Sequence, residues 1–353
     1  PATPSAAWRD EPPRLAGLAD VVVAGAGRLL TLPQVLAMLE WTSLVVVREV
    51  GQGTGELVHE AYADGVGPGD RLLGASMTKS ALAHLVGLAV NDARLDLAAP
   101  VSAYVPELAD GGYGPVPVLD VLRMTSGVEW IEDHRDPDGP AARLTACAFT
   151  GRGSMREQLR ALRTRCPPGQ RWEYSTADSQ VLDWVRERAT GETFVSALSR
   201  LRTELGCTGG ATVAADGQGV PLAGGGLGAT ARDWARFGML QVDGCAPGGH
   251  QLLSPQWLDT AGRPTLPFVQ PGRLPSAITT HAGFAGHWWP LDGTGRRVTA
   301  DGSRGQFTYV DRDRRVVVTL TSCWAYADAM LDRQCRDLAY LTLPVIAQVA
   351  SRG

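Results

Sequence analysis

Apolar and polar positions divide this chain into three textures. Near the start, Ser43–Val50 (SLVVVREV) and Glu56–Tyr62 (ELVHEAY) are short β-branched runs split by the turn-like GQGTG, which predicts a hairpin. Ser76–Asp92 places Ala81, Leu85, Leu88 and Ala89 at helical spacing with little polar relief, the pattern of a buried helix. From Leu95 to about Gly224 helical pieces alternate with Pro/Gly loops, clearest at Arg156–Arg163 and Gln180–Arg188, and another helix is predicted over Thr230–Gln241. The last third switches period. Gly286–Leu291, Arg296–Thr299, Gln306–Val310 and Val316–Thr321 read as short strands between turns, and Ala327–Val349 as a closing helix. Strands at both ends around a helical middle predict an α/β protein of the α+β type, with one antiparallel sheet built from both termini. An α/β domain over 14–95 and 225–353 would then enclose a mainly helical domain over 96–224, with the functional site at their interface.

Composition narrows the classes. At 353 residues the chain is long enough for a sizeable core. No apolar run approaches the ~18 residues of a membrane span. A net charge of −4 leaves no footprint for nucleic acid. Six cysteines lack zinc spacing and leave disulfides open. The Pro1–Pro13 stretch reads as a loose tail of the kind left by leader removal, so export is expected over a cytoplasmic location. Against 32 arginines stands a single lysine, Lys79. Lysine, unlike arginine, gives up its proton when buried, so that position is a candidate proton-handling amine.

Two tempting motifs fail. Val21–Gly27 (VVVAGAG) lacks the third glycine of a dinucleotide loop and reads as a strand ending in a turn. Gly74-Ala75-Ser76-Met77-Thr78 lacks the final glycine of a lipase elbow. Ser76-Met77-Thr78-Lys79 remains: residues three apart share a helix face, so the Lys79 amine meets the Ser76 hydroxyl and, desolvated, can take its proton.

SMTKS, LRMTSGVEW (122–130), PPGQRWEYSTADSQVL (167–182) and GGGLGATARDWARFG (224–238), in that order, resemble the serine β-lactamase/penicillin-binding-protein superfamily. The similarity is greatest to its class C-like branch of 6-aminohexanoate-dimer hydrolases and related esterases. The resemblance implies a β-lactamase-like fold and a serine hydrolase cleaving a small-molecule amide or ester, with no metal or organic cofactor. Ser76 would be the acylated nucleophile, Lys79 its base and Tyr174 the proton donor to the leaving group. Thr176 stands where many relatives have asparagine. Ala300-Asp301-Gly302 occupies the place of the family's Lys-Thr-Gly motif, and the backbone N–H groups of Ser76 and Ser303 would form the oxyanion hole, Gly302 allowing close approach. Asp301 would draw a cationic group such as a substrate amine, or be a plain turn carboxylate. His281-Ala282-Gly283 is a competing match for that motif. Trp130, Trp172, Trp288 and Trp289 wall a substrate pocket or pack in the core, Arg304 sits at the rim, and the other histidines are surface or core residues. An acyltransferase on the same Ser-Lys-Tyr site and a slowly turning over penicillin-binding-type protein remain alternatives.

Overall fold

The computed structural model describes residues 14–25, 27–275, 278, 281–325 and 328–352. Eleven strands are present among them: β1 (Val22–Gly25), β2 (Arg28–Thr31), β3 (Trp41–Gly51), β4 (Thr54–Tyr62), β5 (Leu72–Leu73), β6 (Thr212–Val213), β7 (Leu227–Ala229), β8 (Trp289–Pro290), β9 (Arg297–Gly302), β10 (Gln306–Asp311) and β11 (Val316–Ser322). The α-helices are α1 (Leu32–Met38), α2 (Met77–Asn91), α3 (Val101–Tyr104), α4 (Val118–Leu122), α5 (Pro140–Thr150), α6 (Met155–Ala161), α7 (Thr176–Thr190), α8 (Phe194–Glu204), α9 (Ala231–Asp243), α10 (Pro255–Gly262) and α11 (Ala329–Ala350).

The main sheet runs β4-β3-β11-β10-β9-β8, antiparallel throughout, so both ends of the chain build it as the sequence predicts. Its inner strands are buried on both faces, which is why SLVVVREV reads as a continuous apolar run rather than an alternation. Val45, Val47, Val310 and Val317 point into the core under α2 and α9. Their neighbours Leu44, Val46, Tyr309, Val316 and Val318 point into a second core under α11 and α1. The VVVAGAG run begins the β1–β2 hairpin: β1 turns back into an antiparallel partner and not directly into a helix, as a strand ending in a turn does. The second strand of that hairpin, α1 and the small β5-β7-β6 sheet were not read from the sequence, because each is too short to carry a periodic signal. The predicted strand over Gly286–Leu291 is reduced to Trp289–Pro290, since Ala285 N–H bonds Trp288 O in a tight turn before it. All six cysteines are free thiols. No helix among the described residues is long and apolar enough to cross a membrane.

Candidate active site

Ser76 caps the N-terminus of α2, directly after Ala75, which holds a left-handed φ of 45°. A non-glycine residue pays strain for that conformation, and here it turns the chain sharply out of β5 so that Ser76 faces open space. Every side chain of the motif is engaged. The Met77 side chain is buried beneath β10, where Thr308 Oγ1 lies 3.5 Å from its sulfur. Thr78 Oγ1 donates to Ala75 O at 2.7 Å and accepts the Leu227 amide at 3.1 Å, tying the turn to β7. Lys79, 2% exposed, donates to Ser76 Oγ at 3.1 Å, Thr176 Oγ1 at 3.0 Å and Gly224 O at 2.6 Å. Burial pushes its ammonium down to about 8, against the opposing pull of the Glu132 carboxylate.

The other motifs fix the acceptors. Ser175 caps α7 with a side-chain bond to Asp178 N–H, and Asp178 in turn accepts from Tyr113 (2.7 Å) and Ser126 (2.9 Å), so the MTSG loop is bound to the start of α7. Gln180 on α7 donates to Pro221 O (2.7 Å) and accepts from Ala223 N–H (3.1 Å), which holds the segment whose next carbonyl, Gly224 O, receives Lys79. Tyr174 precedes that cap, with its ring 5.1 Å from Lys79 Nζ and packed against Trp289 (centroids 5.4 Å) and Phe284 (6.1 Å). Burial first, then the Glu132 charge, drives its phenol well above the usual range, while its interaction with Ser76 opposes this.

Glu132 is the residue that sequence reasoning missed. Its Oε2 accepts Trp130 Nε1 (2.6 Å) and the Thr176 amide (2.8 Å); its Oε1 accepts the Thr176 hydroxyl and meets His134 Nε2 at 3.0 Å. Burial would raise this carboxyl, but the His134 bond, the Lys79 and His134 charges and the Thr176 bond outweigh it and hold it at about 2. The only available signal was the Glu-x-His spacing in WIEDH, too common to single out.

Two cavities meet at Ser76. One of about 450 Å³ is lined by Ser76, Thr176, Gly224, Ser303, Arg304 and apolar side chains; the other, of about 110 Å³, by Ser76, Glu132, Tyr174, Trp289, Asp301, Gly302 and Ser303. His134 borders both, so it is neither a plain surface nor a core histidine. The backbone N–H groups of Ser76 and Ser303 have no protein acceptor among the described residues. A Cβ on Gly302 would lie 2.2 Å from Gly74 O, so only glycine lets β9 approach the turn before Ser76 this closely. His281 instead lies 3.8 Å from Asp337 and borders neither cavity, so His281-Ala282-Gly283 is not at the site. Trp130 does not wall the pocket either: it is buried, and its indole is spent on Glu132. Trp172 and Trp288 are likewise buried, away from both cavities, leaving Trp289 as the pocket tryptophan. Asp301 is not a free acceptor for a substrate amine, since it pairs with Arg336 and takes the Tyr340 hydroxyl. Burial pushes its carboxyl up while Arg336 pulls it back.

The beta-lactamase family model matches residues 49–340, which takes in every motif above. This chain belongs to the beta-lactamase family. It is thus a serine hydrolase of that fold. Over 285 residues the enzyme is 33% identical to the 6-aminohexanoate-dimer hydrolase of Paenarthrobacter ureafaciens, covering 77% of this chain and 71% of that one. A Bacillus anthracis protein provisionally described as a 6-aminohexanoate-dimer hydrolase superposes with a TM-score of 0.80 at 24% identity, over 97% of this chain and 88% of that one. A D-stereospecific amidohydrolase from a Streptomyces species shares the fold at TM-score 0.58 and 18% identity, over 84% and 96%.

Proposed function

We propose that this hydrolase cleaves an amide or ester bond of a small molecule through an acyl-enzyme on Ser76, at a site between the α/β unit and the helical unit over 96–224. The observation that carries this is the buried Lys79 amine 3.1 Å from Ser76 Oγ with its acidity raised. At a pKa of about 8, roughly one molecule in ten holds a neutral lysine at pH 7, enough to act as base. Tyr174 cannot compete for that role, since burial and the Glu132 charge keep its phenol protonated. Lys79 takes the Ser76 proton as Oγ bonds to the substrate carbonyl carbon, and the oxygen's new charge rests on the Ser76 and Ser303 amides. The bond to the leaving nitrogen or oxygen then breaks as Tyr174 passes it a proton, which Lys79 replaces. Water, deprotonated by the same lysine, then attacks the acyl carbon; the bond to Ser76 Oγ breaks as Lys79 returns that proton to Oγ, and the acid is released. Intact-protein mass after brief exposure to a fluorophosphonate tests the proposal. One adduct on the parent and none on Ser76→Ala is expected; equal labelling of both, or of neither, overturns it.

A further inference from the structure

The two cavities differ in size, polarity and neighbours, and Tyr174 decides which half of the substrate each takes. A group that protonates the leaving atom must stand on the leaving-group side of the scissile bond. Tyr174 lines only the small cavity, together with Glu132, Asp301, Asp332 and Arg336, so a small polar leaving group belongs there. The acyl half then extends from Ser76 into the 450 Å³ cavity, past Leu72, Leu73, Phe149 and Leu222. Among the described residues lining that cavity there is no Asp or Glu, while the ionisable side chains include Arg304 and His134. The mouth continues the apolar surface outward, for Leu73 is 46% and Phe149 58% exposed. A 6-aminohexanoyl group carries an ammonium at its far end. Here that charge would meet no carboxylate among the described lining residues, in a cavity that Arg304 also borders.

Resting on the assignment of Ser76 as the acylated residue, we infer that the acyl subsite of this enzyme selects unbranched alkanoyl groups of medium length and discriminates against ω-amino acyl groups. Each methylene drawn into the cavity raises kcat/KM by about fourfold until the chain reaches the mouth. An ω-ammonium lowers it by about tenfold or more relative to the matching alkanoyl ester, the cost of an unpaired charge against apolar walls.

The test follows acid release by pH-stat from methyl acetate, methyl butanoate, methyl hexanoate, methyl octanoate and methyl 6-aminohexanoate, with Ser76→Ala run in parallel. Rising kcat/KM from acetate to octanoate, with hexanoate well above 6-aminohexanoate, is expected. Phe149→Asp, which sets a carboxylate at the exposed mouth, is expected to cut the hexanoate to 6-aminohexanoate ratio by about tenfold. A flat length series, or a 6-aminohexanoate ester hydrolysed as well as the hexanoate, overturns the inference while Ser76-dependent turnover keeps the acyl-enzyme intact. Turnover that persists in Ser76→Ala overturns both.

Discussion

Two buried carboxylates border the small cavity, and they behave oppositely. Glu132 stands on the α7 side, where the Trp130 indole, the Thr176 amide and hydroxyl and His134 converge on it within reach of the Lys79 charge. Asp301 stands on the β9 side, where Arg336 and Tyr340 on α11 are its partners. Burial opposes ionisation at both. The His134 bond, the Lys79 and His134 charges and the Thr176 bond overcome it at Glu132, which stays at about 2, whereas Asp301 is raised. Their roles differ accordingly. Glu132 is linked to Lys79 through Thr176, whose hydroxyl receives the lysine, and Asp301 clamps the closing helix to the sheet.

The comparison breaks most readily at Glu132. In Glu132→Gln the charge is lost and one acceptor oxygen becomes a donor, so the four groups that converge on Glu132, two of them from Thr176, are no longer all satisfied and kcat falls by about 10- to 100-fold. The pH profile separates this from general damage. In the parent, kcat/KM rises with pH as Lys79 loses its proton and levels above about 8. The Glu132 charge raises that pKa, so its removal moves the rising limb to lower pH. A limb that stays in place, or moves upward, refutes the link. Asp301→Asn should do the reverse: it removes the charge that Arg336 and Tyr340 meet and leaves Arg336 with Asp332 at 3.4 Å, at a cost of about 1.5 to 3 kcal/mol for the lost charge-assisted bond, and lowers the melting temperature. Its kcat/KM falls by no more than about tenfold, since the carboxylate's hydrogen bonds go to α11 and not to Ser76, Lys79 or Tyr174. A larger loss of activity than in Glu132→Gln would reverse the assignment of the two roles. Trp130→Phe gives the smallest effect. It removes one bond to a charged acceptor, about 1.5 kcal/mol of stability, and costs only a few-fold in kcat because three donors to Glu132 remain. Urea unfolding and steady-state kinetics together check it.

Local spacing carried Ser76 and Lys79. A helix fixes residues three apart on one face, and a lone lysine among arginines marks a place where an exchangeable proton matters. The sheet was legible too, since buried strands announce themselves as β-branched runs whichever partners they find. The Lys-Thr-Gly position gave way to Ala300-Asp301-Gly302, and there the residue types alone did not say whether Asp301 was free for a substrate. Its partners lie on α11, 35 and 39 residues further along the chain. Glu132 was invisible for the same reason: its bond to Thr176 spans 44 residues, and nothing in the IEDH run foretells it.

The sequence by itself therefore determined the pairing of Ser76 with Lys79, the fold class and the order of the motifs, because these rest on contacts within a turn or on periodicity along one element. Tertiary structure alone decided which carboxylate is linked to Lys79, which tryptophan reaches the pocket, and how the space around Ser76 divides into an apolar and a polar chamber. Those properties depend on the distance and desolvation of groups brought together from distant segments, and chain order does not encode such distances in any local pattern.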